Sequence, residues 1–191
     1  MAAIGLGSNL GERDRTIAAG LAALDRLPRT RLDRVSRLLE TEPVGPPGQG
    51  PYLNGAALLR THLPPRRLLE ALLEIERRHG RDRAREIRHG PRTLDLDLLI
   101  YGDLVVEEDG LSIPHPRMSS RRFVLEPLAE IAGGLLHPTL GVSVDSLLER
   151  LPRRNPAVEG SSSRSADPEP ARGASNAGVA GTLSTFPTTP E

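Results

Sequence analysis

Residues 94–101 read LDLDLLIY, in which apolar and acidic side chains alternate before the segment becomes apolar. Side chains on a β-strand point alternately to the two faces of a sheet. The pattern therefore predicts a strand with one apolar face and one face that carries two carboxylates. The two predicted faces consist of Leu94, Leu96, Leu98 and Ile100, and of Asp95, Asp97, Leu99 and Tyr101.

The two carboxylates are candidate metal ligands. Asp95 and Asp97 leave the same face about 6.6 Å apart along the backbone, because a strand advances about 3.3 Å per residue. Carboxylates at this spacing can hold one or two hard cations between them. A solvated strand face is the alternative for such a pair. The apolar residues on both sides of the pair favour a polar cleft, and hence a metal site.

An arginine-rich segment lies upstream of the carboxylates and contains Arg81, Arg83, Arg85, Arg88 and Arg92. The guanidinium group offers a planar fork of donors that fits phosphate oxygens, and it stays charged at any working pH. Alone, the segment could be a solvated basic loop. Next to a carboxylate pair it indicates a Mg-nucleotide site, where cations and guanidiniums neutralise the charge of a transferring phosphoryl group.

A glycine-rich motif, GLGSNLG at residues 5–11, overlaps the end of the apolar segment Ala2–Gly7 and precedes a helical pattern. It is similar to the fingerprint of dinucleotide-binding oxidoreductases, and Asp25 follows at about the required distance. Asp25, however, falls late in the helical stripe and not at the end of a second strand. We therefore favour a tight structural turn.

The other patterns mix strands and helices. Further strands are predicted at residues 2–7, 31–41, 52–61 and 111–113. One helix carries Ile17 to Leu27 and stops at Pro28, a second runs from Pro64 to Gly80, a third covers 119–131, and a terminal helix is capped by Ser143. Because strands and helices do not alternate regularly, the pattern favours an α+β fold with an antiparallel sheet.

Composition excludes several classes of protein. The chain has 191 residues, with 25 basic and 25 acidic groups and no cysteine, and every basic residue is arginine. Thiol catalysis, disulfides, a Schiff-base lysine and a P-loop lysine are thereby excluded. The balanced charge argues against binding to nucleic acid or an anionic membrane. No apolar run approaches the roughly 20 residues that span a bilayer, so we expect a soluble cytoplasmic protein.

Residues 152–191 differ in composition from the rest of the chain. They contain six Pro, six Ser and four Gly, and few large apolar residues. Such a segment cannot bury enough apolar surface to offset its ordering entropy. We therefore predict a folded domain at residues 1–151 and a disordered tail at 152–191.

His115 and two aromatic residues are further candidates. His115 lies between two prolines, and Arg117, Arg121 and Arg122 follow it, which makes a phosphate contact credible beside a structural role. Tyr52 and Phe123 belong to the four aromatic residues of the chain. They could pack in the core, or they could stack on a flat ligand.

Several motifs together resemble the 6-hydroxymethyl-7,8-dihydropterin pyrophosphokinases of folate biosynthesis. They are GSNLG at 7–11, TEPVGP at 41–46, YLN at 52–54, GPRTLDLD at 90–97, and PHPRM at 114–118 followed by Arg121 and Phe123. The resemblance covers residues 2 to about 151. It implies a ferredoxin-like α+β fold, and an enzyme that moves the β,γ-pyrophosphoryl group of ATP onto the pterin hydroxymethyl oxygen and releases AMP.

The resemblance also implies roles for single residues. Asp95 and Asp97 would bind two Mg²⁺ ions, Arg92 would stabilise the charge that develops during transfer, and Arg81, on the mobile loop of the family, would assist it. The implied ATP-binding residues are Arg83, Leu98, Ser112, His115 and Arg121. The implied pterin-binding residues are Tyr52 and Phe123 as a sandwich, with Asn54 and the backbones of Thr41 and Val44 at the ring edge. ATP and the pterin would be the partners, and we expect a monomer that binds no nucleic acid or membrane.

Three features depart from the family pattern. His89 stands where tryptophan is common, the segment from Gly80 to Gly90 is one residue longer, and the tail has no counterpart. A pterin- or nucleotide-binding module without turnover is a further alternative. It is disfavoured because an idle site need not keep Asp95, Asp97 and Arg92.

Overall fold

The computed structural model describes residues 1–43, 46–81 and 90–152. Met1–Arg153 forms one compact unit. The predicted tail lies outside the described residues apart from Pro152, and so do Val44, Arg83, Arg85, Arg88 and His89. None of the helices in the described ranges is long and apolar enough to cross a membrane.

Seven strands and four α-helices make up the described part of the chain. In chain order they are β1 (Ala2–Ser8), α1 (Arg13–Asp25), β2 (Thr30–Val35), β3 (Leu39–Thr41), β4 (Tyr52–Thr61), α2 (Pro65–Arg78), β5 (Asp95–Tyr101), β6 (Val106–Glu108), β7 (Leu111–Ile113), α3 (Arg122–Ala132) and α4 (Val144–Arg150). A short 3-10 helix, Met118–Ser120, precedes α3.

The main sheet has the strand order β2-β4-β1-β5, and β3 pairs with β4 beyond the end of β2. All pairings are antiparallel. The chain order β1-α1-β2-β4-α2-β5 with this strand order is the ferredoxin-like arrangement, so the predicted α+β class is confirmed. Strands β6 and β7 form a separate hairpin.

Both faces of the sheet are covered by helices. Residues of α1 and α2 share one buried cluster with Ile4, Leu6 and Leu96. Residues of α3 and α4 share the other cluster with Ala3, Leu58 and Leu99. This explains why β1 and β4 read as continuous apolar runs, because a strand in a sheet covered on both faces gains apolar burial at every position. Every residue of β1 is buried.

The predicted strand 31–41 is wrong as a single element, because it is two strands. A bulge interrupts the pairing between Leu32 and Arg34. Beyond Val35, the Ser36 side chain replaces a backbone acceptor of the β-ladder. The Ser36 N–H donates to the Ala56 carbonyl (2.9 Å), and the Ser36 Oγ accepts the Ala56 N–H (2.9 Å). Leu39–Thr41 then pairs with the start of β4. When a side chain replaces a backbone hydrogen-bond partner, the pattern of apolar residues does not change. The end of β2 was therefore not visible in the sequence.

The predicted faces of the segment 94–101 are correct only as far as Leu99. The register against β1 shifts between Ala3 and Ile4, opposite Ile100 and Leu98. Such a bulge adds one residue and inverts the alternation beyond it. Ile100 consequently joins Leu99 in the cluster under α3, and Tyr101 packs against the other cluster. The two aspartates precede the bulge and keep their common face.

Candidate active site

One cavity of about 480 Å³ opens on the α3 face of the sheet. Its floor is made by β1, β4 and β5, and its walls by β3 and by the segment that leads into α3. The lining residues are Gly5, Leu6, Gly7, Thr41, Glu42, Tyr52, Asn54, Gly55, Arg81, Arg92, Asp95, Asp97, Arg117, Ser120, Arg121, Arg122, Phe123 and Val124.

Glycines of β1 form part of this floor. Gly5 and Gly7 lie on the same strand face as Ala3, and they pair with Asp97 and Asp95 across the ladder. A Cβ at Gly7 would stand 3.4 Å from both the Asn54 Oδ1 and the Asp95 Cβ, so the missing side chain keeps this space open. Because both glycines belong to a paired strand and not to a loop, the dinucleotide fingerprint does not apply. The tight turn predicted for this motif is therefore wrong for residues 5–8, which lie in β1, and the chain bends only at residues 10–12, where Gly11 has a φ of 64°.

Asp95 is held by two guanidiniums. Its Oδ1 accepts a hydrogen bond from Arg81 Nη1 at 2.5 Å, and its Oδ2 accepts one from Arg92 Nη1 at 2.8 Å. Burial by itself would raise the pKa of Asp95, but the positive charges of Arg92 and Arg81 outweigh burial and lower the pKa. Asp95 therefore remains an anion inside the cavity.

Asp97 behaves in the opposite way. Burial raises its pKa, and the negative charge of Asp95 raises it further. His115 and Arg121 lie near enough to oppose this rise by their charge. A divalent cation bound beside the pair would favour the ionised form of Asp97. No group of three or more acidic or histidine ligands occurs in the part of the chain that is described. Mg²⁺ is usually bound by one or two carboxylates, and phosphate oxygens and water supply its other ligands.

Arg81 lies in a buried ion-pair network, which differs from the open loop expected for it. Its side chain is 4% exposed, and its Nη1 also donates to Glu76 Oε1 at 2.5 Å. Glu76, on α2, accepts the Leu96 N–H as well, at 2.8 Å. A buried ion pair is stable only with additional hydrogen bonds of this kind. The network therefore ties the end of α2 to β5 directly beneath Asp95.

Sequence reasoning missed Glu76, although a signal for it exists. Leu68, Leu72 and Glu76 follow one another at a spacing of four residues and are all buried. A carboxylate that continues the apolar stripe of a helix must find a partner in the core. Four further residues line the cavity without a site role in the sequence-based prediction: Glu42, Arg117, Ser120 and Arg122. For Arg117 and Arg122 the sequence indicates only a phosphate contact next to His115.

Four of the five predicted pterin residues line the cavity. Thr41, Tyr52, Asn54 and Phe123 line it. The Asn54 Nδ2 donates to the Thr41 Oγ1 at 2.7 Å, which orients both side chains. The Tyr52 hydroxyl donates to the Gly90 carbonyl at 2.9 Å. Val44, the fifth, lies outside the described residues.

The predicted ATP residues are spread more widely. Arg121 lines the cavity, and its guanidinium lies 5.6 Å from the centre of the Phe123 ring. His115 is close enough to Asp97 to affect its pKa. The Leu98 side chain packs in the core on the α1 and α2 side of the sheet. The Ser112 Oγ donates to Glu107 Oε1 at 2.9 Å, away from the cavity lining. Arg83 lies outside the described residues.

The fold and the site together define a class of α+β domain, in which a carboxylate pair, guanidiniums and aromatic rings surround one cavity on an antiparallel sheet. Such a cavity can hold a metal-bound phosphate chain next to a flat heterocycle. Residues 3–133 match the family described as 7,8-dihydro-6-hydroxymethylpterin-pyrophosphokinase (HPPK). The chain belongs to this family.

Relatives agree with this assignment. The 2-amino-4-hydroxy-6-hydroxymethyldihydropteridine pyrophosphokinase of Pseudomonas aeruginosa is 47% identical over 135 residues, which cover 71% of this chain and 82% of the relative. The Bacillus subtilis protein of the same name is 44% identical over 131 residues, covering 69% and 77%. A crystal structure described as HPPK-DHPS in complex with substrates has a TM-score of 0.62 at 14% identity. It covers 78% of this chain and 42% of that chain, and it supports the fold.

Proposed function

We propose that this chain transfers the pyrophosphoryl group of ATP to 6-hydroxymethyl-7,8-dihydropterin. The hydroxymethyl oxygen attacks the β-phosphorus, the bond from that phosphorus to the oxygen of the α-phosphate breaks, and AMP leaves. The products are AMP, the pterin diphosphate and the proton of the hydroxyl group. The observation that carries the proposal is that the carboxylate pair, Arg92 and the rings of Tyr52 and Phe123 line the same cavity.

Asp95 and Asp97 are the residues that would hold Mg²⁺, as two ions. Bound there, the metal would neutralise the charge of the triphosphate and of the leaving AMP. The carboxylates suit this role because Asp95 is kept ionised by its arginines, and because a bound cation would offset the burial and the Asp95 charge that raise the pKa of Asp97. The two aspartates therefore serve to place the triphosphate on the floor of the cavity.

Arg92 and Arg81 are proposed to act on the transferring group. The Arg92 guanidinium, bonded to Asp95 Oδ2, lines the cavity and can turn towards an oxygen of the β-phosphate. Charge on the phosphate oxygens and on the leaving oxygen must be stabilised during transfer, and a preorganised guanidinium does so at small reorganisation cost. Arg81 assists by fixing Asp95 from the buried side.

The remaining site residues bind the two substrates. Arg121 and His115 would contact ATP phosphates. The family resemblance also implies ATP contacts for Arg83, Leu98 and Ser112, but Leu98 packs in the core and Ser112 lies away from the cavity lining, so their geometry does not support these contacts. Tyr52 and Phe123 would sandwich the pterin, and Asn54, Thr41 and Val44 would recognise its edge. Strong general bases are unnecessary, since this chemistry depends chiefly on positioning and charge. We further propose that the protein acts in the cytoplasm as a monomer.

The proposal is tested by supplying ATP, Mg²⁺ and the pterin and by separating AMP from ADP. AMP and the pterin diphosphate in equal amounts support it. ADP would contradict pyrophosphoryl transfer. Binding of both substrates without AMP would favour the module without turnover, and a co-purified nicotinamide would favour the oxidoreductase.

Truncating Phe123 should weaken pterin binding. Stacking of a heterocycle on one aromatic ring contributes about 1 to 3 kcal/mol, by analogy with nucleic-acid bases, so Phe123→Ala should raise the pterin Kd roughly 5- to 150-fold. ATP affinity should change far less. The change can be measured by pterin fluorescence, because the chain contains no tryptophan.

Leu135→Ala is the matched control for Phe123→Ala. Leu135 and Phe123 are both partly buried against the cluster under α3, but Leu135 does not line the cavity. The control should lower Tm and leave the pterin Kd unchanged. If Phe123→Ala also lost only stability, Phe123 would be a core residue and the sandwich would be wrong.

Residues 1–151 should form the complete pyrophosphokinase domain. The chain at the end of this domain is held in place by hydrogen bonds, because Arg122 Nη1 donates to the carbonyls of Leu151 (3.4 Å) and Pro152 (3.3 Å). A chain that ends at Arg154 is therefore expected to keep the Tm and the AMP-forming activity of the full chain. A large fall in either quantity would mean that the segment 155–191 contributes to the domain.

A further inference from the structure

Asn9 belongs to the GSNLG motif, in which Gly7 lines the cavity but the asparagine has no role in the proposed chemistry. It follows β1 directly and is 7% exposed. Its Oδ1 accepts the backbone N–H of Arg92 at 2.6 Å. Its own backbone N–H donates to the Arg92 carbonyl at 3.0 Å. Asn9 therefore binds both polar groups of the Arg92 backbone.

The other half of the Asn9 amide faces a different wall of the site. Its Nδ2 lies 3.4 Å from the Gly50 carbonyl and 3.3 Å from Gln49 Oε1. Gly50 and Gln49 belong to the connection between β3 and β4, which leads into Tyr52. The orientation of the amide is determined by Arg92, because only the oxygen can accept a backbone N–H. The nitrogen must therefore point towards the β3–β4 connection.

We propose that Asn9 is a positioning residue that fixes Arg92 and the β3–β4 connection relative to each other. This inference rests on the proposed function, in which Arg92 acts on the phosphate and Tyr52 stacks on the pterin. These two groups approach the two substrates from neighbouring walls, and Asn9 joins those walls with one side chain. The Tyr52 hydroxyl bond to Gly90 is a second link between the same walls.

The physical basis is the sensitivity of transfer reactions to geometry. A displacement of about 1 Å can cost roughly 10²-fold in rate. The Arg92 guanidinium stands at the end of a long side chain, so a small shift of its backbone alters which phosphate oxygen it reaches. The short 2.6 Å bond from Arg92 N–H is part of the backbone anchorage that limits this shift.

Two substitutions at Asn9 distinguish the effect of the amide oxygen from that of the amide nitrogen. Asn9→Ala removes both, and kcat for AMP formation should fall about 10- to 100-fold while the pterin Kd rises several-fold. Asn9→Asp keeps an oxygen for the Arg92 N–H but cannot donate to Gly50. It should recover most of the turnover that Asn9→Ala loses, and it should keep the raised pterin Kd. Gln49→Ala should also raise the pterin Kd with little change in kcat.

Thr61→Val is the matched control for stability. It removes the 2.7 Å bond between the Thr61 and Thr30 hydroxyls, at the end of β4 far from Tyr52. It should lower Tm and leave kcat and Kd unchanged. If Asn9→Ala had the same effects as this control, Asn9 would be a structural residue and the inference would be wrong.

The outcomes also separate this inference from the proposed function. A parent protein that forms no AMP overturns the proposed function, and the inference fails with it. An active parent whose Asn9→Ala variant keeps its kcat overturns the inference alone. If Asn9→Ala does not fold, Asn9→Asp and Gln49→Ala decide: an unchanged pterin Kd in both overturns the inference, and a raised Kd in both supports it.

Discussion

Replacing Asp97 with asparagine should lower the rate of AMP formation by about 10³-fold or more without loss of the fold. Asparagine keeps the shape of the side chain but has no charge, and a neutral amide is a poor substitute for a carboxylate on Mg²⁺. The triphosphate would then lose one of the two groups that place it on the cavity floor. The measurement is kcat with saturating ATP and pterin, together with the affinity for Mn²⁺ in the presence of a non-hydrolysable ATP analogue.

The same substitution should leave stability unchanged or increase it at neutral pH. The folded state raises the pKa of Asp97 above its ordinary value of 3.8, because burial and Asp95 disfavour the charged form. A raised carboxyl pKa means that ionisation destabilises the fold once the pH exceeds that ordinary value. The neutral asparagine avoids this cost, so the difference in Tm should disappear well below pH 3.8. This pH dependence separates the role in metal binding from a role in folding.

Asp33→Asn is the matched control for Asp97→Asn. Asp33 is also a partly buried aspartate on a strand of the same sheet, and it accepts a 2.7 Å hydrogen bond from Arg60 Nε. It does not line the cavity. The control should keep its turnover and its Mn²⁺ affinity. If Asp97→Asn retained near-parental turnover as well, the assignment of Asp97 as a metal ligand would be refuted.

Replacing Arg92 with alanine should lower kcat by about 10²- to 10³-fold, the range found when one preorganised donor to a developing anion is removed. The affinity for ATP should change much less, because the charge that Arg92 would stabilise is largest in the transition state. Arg92→Lys should recover only part of the rate, since an ammonium group keeps the charge but lacks the planar fork of donors. Steady-state kinetics and equilibrium binding of ATP measure these two effects separately.

The control for Arg92→Ala is Arg66→Ala. Arg66 is partly exposed and pairs with Glu108 at 2.7 Å, away from the cavity lining. Its removal should leave kcat and ATP affinity unchanged. An Arg92→Ala variant with a parental kcat and a weaker ATP affinity would contradict the proposed role, and Arg92 would then be an anchor for the bound nucleotide.

The sequence by itself determined the class of fold and the identity of the central carboxylates. The continuous apolar runs of β1 and β4, and the alternation that starts β5, follow from burial at neighbouring positions, which a linear pattern records directly. Asp95 and Asp97 share a face because no bulge lies between them. Helices lie at the four predicted places, although the third begins only at Arg122, after a 3-10 helix at Met118–Ser120. The terminal one begins after Ser143, whose Oγ accepts the Ser146 N–H at 3.2 Å.

Only the tertiary structure determined the features that depend on contacts between residues distant in the chain. The bulge opposite Ala3 moves Ile100 to the other face, and Ser36 ends a strand that the periodicity would continue. Glu76 and Arg81 become a buried pair only because α2 packs beneath β5. A local pattern states which residues favour burial, but not which element will cover them.

Asn9 and the glycines of β1 illustrate the same limit at the site. In the sequence they form a glycine-rich motif, for which a structural turn is favoured over a dinucleotide-binding loop. Antiparallel pairing of β1 with β4 and β5 turns Gly5 and Gly7 into the floor of a cavity and brings Asn9 to Arg92, 83 residues further along the chain. A hydrogen bond between residues so far apart produces no periodic pattern in the sequence, because the folded chain can bring together residues at any separation. The residue types could therefore be read from the sequence, and their geometry followed only from the way the strands pair.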